Sequence, residues 1–100
     1  MYISRINRNG KSIAPQIYRA VDAGLIPIIK IMDINKSTRL DQYAAEYWGP
    51  ENSKNWWIIA AASGIGWMFD NTIEENGIEE AITIFIPDFK ATKDYINTII

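Results

Sequence analysis

The chain has 100 residues, a net charge of −2 at pH 7, and neither cysteine nor histidine. This length fits a single domain, which can bury roughly two-thirds of the surface that its unfolded chain exposes. Without cysteine, disulfides, zinc–thiolate centres and thiol nucleophiles are excluded, and without histidine the chain lacks the commonest general base and transition-metal ligand.

Charge is distributed unevenly along the sequence. Residues 1–40 contain seven Lys or Arg and two Asp, a balance of +5, whereas residues 41–100 contain three Lys and ten acidic residues, a balance of −7. This asymmetry is typical of a protein that binds a polyanion through its basic part or associates with itself through opposite faces. The alternative is that the two parts neutralise each other when the chain folds.

Isoleucine dominates the aliphatic residues. Twenty Ile stand beside two Leu and one Val, and eight Asn accompany them. Because the codons for Ile and Asn are rich in A and T, this composition indicates an AT-rich genome, such as that of a virus or a mobile element. The N-terminus has no signal-peptide pattern, so we expect a cytoplasmic protein.

The first predicted helix covers residues 13–23. Ser12 is a candidate N-cap, Pro15 suits the first helical turn, and Gly24 provides a C-terminal stop. Residues 2–6, which precede this helix, are compatible with either a short strand or a helical turn.

An Ile-rich run follows and predicts a strand near residues 28–33. Pro27 at its start favours an edge position, or pairing that begins after the proline. The next helix, over residues 39–48, shows apolar residues at helical spacing and is closed by Gly49 and Pro50.

Residues 54–100 predict two helices and one strand. A helix over residues 54–69 is almost entirely apolar, with Gly64 and Gly66 as points where it breaks or bends. Residues 79–86 alternate between apolar and mixed positions, which predicts a strand, and Asp88 caps a final helix over residues 89–100.

These elements predict a small single-domain α+β fold. It has four or five helices and a small sheet that includes the strands near 28–33 and 79–86. The apolar run over residues 56–69 would span about 21 Å as a helix, less than the ~30 Å of a bilayer core. We therefore expect a buried helix or an interface there rather than a membrane span.

Two short motifs are incomplete versions of catalytic ones. Gly10-Lys11-Ser12 is similar to the end of a phosphate-binding loop, but the position that should hold the first glycine is Arg5. Asp88-Phe89-Lys90 is similar to a metal-dependent nuclease element, but Pro87 interrupts the strand where the ligands should project. We therefore expect no metal, no cofactor and no enzymatic activity.

A longer stretch resembles a known DNA-binding family. Residues 17–27 read IYRAVDAGLIP and are followed by Ile29-Lys30-Ile31. This pattern resembles the recognition helix and wing of MerR-like and excisionase-like winged helix–turn–helix proteins. Arg39 and residues 40–48 resemble the return of the wing and the following helix, so the resemblance covers residues 16–48.

The resemblance implies a regulatory protein that binds double-stranded DNA. Gln16 and Arg19 would face base edges, while Lys30, Lys36 and Arg39 would contact phosphates. The predicted nucleic-acid-binding residues are Arg5, Arg8, Lys11, Gln16, Arg19, Lys30, Lys36 and Arg39.

An alternative function is that of a small inhibitor or adaptor that binds another protein, or a second copy of this chain, through an aromatic or acidic surface. Several large aromatic side chains surround the turn at Gly49, and their number exceeds what one small core requires. The predicted protein-interface residues are Tyr47, Trp48, Trp56 and Trp57.

Overall fold

A computed structural model of the chain describes residues 3–6, 10–34, 39–64 and 82–99. The described residues form four α-helices, one 3₁₀-helix and a two-stranded antiparallel sheet, which confirms the predicted α+β class. The elements in chain order are α1 (Ala14–Asp22), β1 (Ile28–Ile34), α2 (Leu40–Trp48), the 3₁₀-helix (Pro50–Asn55), α3 (Trp56–Ser63), β2 (Ile82–Pro87) and α4 (Phe89–Ile99).

The first helix covers nearly the predicted residues, but its N-cap is Ile13, without a side-chain capping bond, and not the predicted Ser12. The Ser12 hydroxyl accepts a hydrogen bond from the Ala14 N–H at 3.2 Å, so Ser12 satisfies one of the free amides of the first turn. The chain leaves the helix through Gly24, whose φ of +80° is a conformation that other residues adopt only with strain. Ile17 on this helix is fully buried, whereas Arg19 faces solvent.

The N-terminal segment pairs with the chain that leads into α1 and not with the sheet. Ile6 and Ser12 form an isolated antiparallel bridge, and the Ile13 N–H donates to the Arg5 carbonyl at 2.8 Å. At the other end of the segment, the Ile3 N–H donates to the side-chain oxygen of Asn55 at 2.8 Å. Described residues 3–6 are therefore bonded both to the residues that lead into α1 and to the end of the 3₁₀-helix.

The two strands pair antiparallel, with an irregularity between Ile28 and Lys30. Ile84 and Ile86 of β2 are fully buried on the inner face, while Ile31 of β1 is exposed on the outer face. The alternation predicted for this strand is confirmed over residues 83–86, and residues 79–81 lie outside the described part of the chain. Among the described residues, the partner of β1 in the sheet is β2 alone.

Helix α3 occupies the centre of the fold. Ile58, Ile59 and Ala61 are fully buried, as expected for a helix that is apolar all round. The predicted boundaries of 54–69 need correction: residues 50–55 are 3₁₀-helical, and the α-helix ends at Ser63. Gly64, with a φ of +76°, provides the stop, and residues 65–69 lie outside the described part of the chain.

The last helix begins as predicted. The Asp88 carboxylate accepts a hydrogen bond from the Ala91 N–H at 2.8 Å, and Thr92 and Ile96 are buried. The Trp48 indole N–H donates to the Pro87 carbonyl at 3.0 Å, which ties α2 to the end of β2. Within the described ranges, every helix is too short or too polar to cross a bilayer.

Candidate functional site: a groove at Trp56

An open groove of about 270 Å³ lies where α2, the 3₁₀-helix and α3 meet. Its lining residues are Asp41, Ser53, Lys54 and Trp56. Asp41 comes from the first turn of α2, Ser53 and Lys54 from the 3₁₀-helix, and Trp56 is the first residue of α3. We call this surface the Trp56 groove.

Local backbone chemistry places these side chains on the outside. Gly49 ends α2 with a φ of +97°, and Pro50 begins the 3₁₀-helix. On the inner side of this turn, the Asn52 amide donates to the Trp48 carbonyl at 2.7 Å, and the buried Asn55 amide contacts Asn52 at 3.4 Å. Since the two asparagines point inward, the residues between and after them face the groove.

Arg5 lies over the aromatic part of the site. Its guanidinium carbon is 5.1 Å from the centre of the Trp56 ring and 5.9 Å from that of Trp57, within the range of cation–π attraction. The backbone bonds of residues 3–6 to Asn55 and Ile13 hold the arginine there. The structure thus brings together two residues that are 51 positions apart in the sequence.

A second arginine, Arg39, pairs with Asp41, the acidic residue that lines the groove. Arg39 binds Asp41 through two bonds, Nε to Oδ1 at 3.1 Å and Nη2 to Oδ2 at 2.7 Å. The Arg39 side chain is 68% exposed, so this pair contributes only about 0–1 kcal/mol to stability. Within the described residues, neither Arg5 nor Lys54 forms an ion pair with a carboxylate.

The other predicted nucleic-acid-binding residues do not join this groove. Lys11, Arg19 and Lys30 are exposed and lie before α1, on α1 and on β1. Gln16 is half-buried, and its side-chain oxygen is buried without a hydrogen-bond partner, so that oxygen does not face solvent. Arg8 and Lys36 lie outside the described residues.

The predicted aromatic interface is divided between core and surface. Trp48 and Trp57 are 8% and 4% exposed and belong to the hydrophobic core, so neither offers a contact surface in this fold. Tyr47 is half-buried against the core. Trp56 alone of these four residues lines the groove.

A second groove, of about 320 Å³, lies between α1 and the outer face of the sheet. Its lining residues are Tyr18, Val21, Asp22, Ile28, Ile31, Ala62 and Phe85. Ile31 is 59% exposed, and Ile29 and Leu25 nearby in the sequence are also exposed. This α1–sheet groove is apolar apart from Asp22 at its edge.

Sequence reasoning missed Asp41, Ser53 and Lys54 as site residues, because no motif marks the first turn of α2 or a short 3₁₀-helix as a binding surface. The α1–sheet groove had a weak signal, since the Ile run of β1 was predicted to lie at a sheet edge beside Pro27. No group of three or more acidic side chains that could hold a metal ion occurs within the described ranges.

We compared the chain with protein-family models, with curated proteins and with solved structures, and none of the three comparisons found a match.

Proposed function

We propose that the protein binds nucleic acid and that the Trp56 groove forms part of the contact. The observation that carries the proposal is that Arg5 lies over the Trp56 ring and that Lys54 lines the groove with Trp56, with neither cation in an ion pair among the described residues. Aromatic rings stack on nucleobases, and nearby cations neutralise phosphates; together they are the usual elements of a nucleic-acid-binding groove.

The basic N-terminal part offers a second set of cations. Arg19 on α1 and Lys30 on β1 are exposed, which supports the double-stranded DNA contact implied by the winged helix–turn–helix resemblance. The two sets differ in position, because Lys54 lies on the 3₁₀-helix and Arg5 lies over Trp56, whereas Arg19 and Lys30 lie on α1 and β1. A comparison of variants therefore separates them.

The first experiment is a titration of labelled DNA with the protein, followed by fluorescence anisotropy at about 50 to 200 mM salt. One probe is a mixed-sequence duplex and the other is a single strand of the same length. We expect binding that weakens steeply with salt, because each phosphate contact releases counterions. The absence of binding to both probes at the lowest salt would reject the proposal.

Two double variants locate the contact. Arg5→Ala with Lys54→Ala removes the cation over the Trp56 ring and the one that lines the groove, and Arg19→Ala with Lys30→Ala removes two from α1 and β1. If the groove makes the contact, the first pair should reduce the slope of log affinity against log salt by about 1.4 to 1.8, while the second leaves it unchanged. A matched control, Lys90→Ala with Lys93→Ala, changes the net charge equally on α4, which lines neither groove.

The second candidate is binding of another protein at the α1–sheet groove. It is favoured by the 59% exposure of Ile31 and the apolar lining around it, since exposed apolar surfaces of this kind often mark protein contacts. Asp22 at the edge suits a partner that presents an apolar side chain next to a cation.

This second candidate predicts a specific effect of Ile31→Asp. We would use the protein and this variant as baits in a nuclease-treated lysate, with the groove variant Arg5→Ala and Lys54→Ala as control. A stoichiometric partner lost with Ile31→Asp alone would support protein binding. Equal capture by all three baits would contradict it.

A further inference from the structure

One edge of the sheet, formed by β1, has no partner strand among the described residues. We infer that a second copy of the chain pairs with this edge, so that the two β1 strands run antiparallel across a two-fold axis at Ile31. The second copy gives the second candidate above its partner, so the inference rests on protein binding at this surface and not on nucleic-acid binding.

The backbone groups of Ile31 point away from β2. Opposite residues of an antiparallel pair alternate between pairs that exchange two hydrogen bonds and pairs that exchange none. Ile31 lies opposite Phe85, and the Phe85 N–H donates to the Ser63 hydroxyl at 2.9 Å instead of to β1. Ile31 and Phe85 therefore form a pair of the second kind, which leaves the N–H and C=O of Ile31 at the free edge. Asp33, opposite Thr83, has the same orientation.

The side chains along this edge are largely apolar. Ile31 is 59% exposed and Ile29 is 48% exposed, while the charged residues of the strand are Lys30 and Asp33. Exposed strand edges pair readily with other strands, and soluble proteins usually cover them or protect them with charge. Pairing with another strand would satisfy the backbone groups of the edge and reduce the exposure of both isoleucines.

A second copy supplies a strand that matches this edge along its whole length. Ile31 is the middle residue of β1, which has seven residues, so a two-fold axis there places every residue of the strand opposite one of the partner. The outward N–H and C=O of Ile31 would bond to the same groups of the partner's Ile31, as a hydrogen-bonded antiparallel pair requires. The interface is isologous, because the same surface serves both copies.

The charges along the strand favour this register. Lys30 lies opposite the partner's Met32, and Asp33 lies opposite the partner's Ile29, so like charges do not meet directly. A shift of the axis to Lys30 would place the two lysines opposite each other. A shift to Met32 would leave the first two residues of each strand unpaired.

The assembly closes at two copies. The other edge of the sheet belongs to β2, where the Ser63 hydroxyl at the end of α3 already accepts the Phe85 N–H. Pairing through β1 therefore gives a four-stranded sheet in the order β2–β1–β1–β2, with α3 beside each outer strand. A sheet of this size is also more stable than an isolated pair of strands, which is marginal in water.

The first test is the oligomeric state of the full chain, measured by sedimentation equilibrium over a range of concentrations. We expect a reversible dimer for the wild type. Ile31→Pro should give a folded monomer, because the N–H that proline lacks points to the free edge. The matched control is Met32→Pro. Met32 lies opposite Ile84 in a hydrogen-bonded pair, so this change should lower the melting temperature of the protein itself.

A second variant keeps the test decisive where proline disturbs the strand. Ile31→Lys should leave the protein folded, because this side chain is 59% exposed. It should raise the dissociation constant of the dimer roughly 5-fold or more, because two like charges then face each other across the axis. Thermal unfolding of each variant verifies that it is folded under the assay conditions.

Single cysteines test the register, since the chain has no cysteine of its own. Ile31→Cys places two cysteines across the axis with Cα atoms about 5.5 Å apart, within the range of a disulfide. Asp33→Cys lies opposite the partner's Ile29, so its two sulfur atoms would be separated by about 13 Å along the strands. Mild oxidation should therefore link Ile31→Cys into a covalent dimer much faster than Asp33→Cys.

The outcomes separate this inference from the other proposals. A wild type that is monomeric at every soluble concentration would overturn it, and so would a dimer that both Ile31→Pro and Ile31→Lys leave as tight as before. Linking of Asp33→Cys as fast as Ile31→Cys would overturn the register. Nucleic-acid binding by a monomeric wild type would leave the Trp56 groove proposal standing. Capture of a different protein through Ile31 would leave the second candidate standing without a second copy.

Discussion

The two tryptophans at the junction of the 3₁₀-helix and α3 are adjacent in the sequence but differ in burial, since Trp57 belongs to the core and Trp56 is half-buried against it. Trp57 is 4% exposed and packs in the core, whereas Trp56 lines an open groove beneath Arg5. The inner side of this junction holds the fold together, and the outer side presents an aromatic ring and cations to solvent. Residue type alone therefore does not assign either role.

Substitution of each tryptophan provides the largest expected contrast. Trp57→Ala should lower the free energy of unfolding by about 3–5 kcal/mol, because it opens a cavity beside α3. Trp56→Ala should cost clearly less, since part of its ring already faces solvent. Urea unfolding of both variants measures the difference, and equal costs would contradict the division into inner and outer sides.

A second substitution at Trp57 tests whether the indole N–H contributes to stability. The Trp57 Nε1 atom is buried with no hydrogen-bond partner, so its removal gives up no bond. Trp57→Phe should therefore cost much less than Trp57→Ala. A cost for Trp57→Phe as large as that of the alanine variant would show that the indole is needed for more than its volume.

Asn55, on the inner side of this junction, supports the position of Arg5 on the outer side indirectly. Asn55 is fully buried and its side-chain oxygen accepts the Ile3 N–H at 2.8 Å, which holds the segment that carries Arg5. Asn55→Ala leaves buried polar groups without partners and should cost about 1–3 kcal/mol. It should also weaken nucleic-acid binding if that segment places Arg5.

The control for this variant is Asn97→Ala, at an exposed position of α4. That change should have little effect on unfolding or on binding. If Asn55→Ala destabilises the protein but leaves binding as strong as in the control, Arg5 does not depend on this anchor.

Two glycines extend the comparison to the far end of α3 and to α1. Gly24 and Gly64 both have a positive φ, so an alanine at either position should cost about 1–2 kcal/mol. A Cβ at Gly64 would also lie 2.9 Å from the Tyr18 ring, whereas a Cβ at Gly24 would have no neighbouring atom within 4 Å. Because Tyr18 is 40% exposed, the ring can shift, and the extra cost at Gly64 should be small.

Thermal unfolding of Gly24→Ala and Gly64→Ala measures this difference. Since Tyr18 also lines the α1–sheet groove, Gly64→Ala should alter any binding at that groove and leave the Trp56 groove unchanged. A loss of nucleic-acid binding in Gly64→Ala would indicate that the two grooves do not act separately.

The smallest effect is expected at Lys90, on a helix that lines neither groove. Its hydrogen bond to Asp94, at 2.9 Å, and the charge of that carboxylate raise the pKa of Lys90 above 10.5. The pKa is higher in the folded state, so the pair stabilises the protein below about pH 10.5, and this contribution is lost as the pH rises through the folded-state value.

Lys90→Met should therefore lower the melting temperature slightly near neutral pH, and the difference from the wild type should shrink above pH 10.5. Because both side chains are exposed, the shift should be smaller than those of the three preceding comparisons. A difference that grows with pH would contradict the assigned direction of the pKa shift.

The features predictable from the sequence are those that depend on nearby residues. The stop at Gly24, the cap at Asp88 and the alternation of Ile84 and Ile86 each follow from local backbone chemistry and from a two-residue period. The end of α3 was less well predicted, because Gly64 and Gly66 are both possible stops in the sequence, and the positive φ of Gly64 identifies the one at which the helix ends.

The candidate site was predictable only in part. Arg5, Arg39 and Trp56 were expected to bind a partner, but in two separate groups, and Lys54 and Asp41 were not expected at all. Periodicity could not separate Trp56 from Trp57, because α3 is apolar on every side and has no polar face to mark its orientation.

By itself, then, the sequence determined the α+β class, most of the element boundaries and the basic character of the N-terminal part. The tertiary structure alone decided that residues 3–6 bond to Asn55, in which direction and register β1 pairs with β2, and that Trp56 and not Trp57 lines the groove. The physical reason is that turns, caps and strand periods arise from neighbouring residues. Contacts over about fifty residues depend instead on which buried surfaces pack best together.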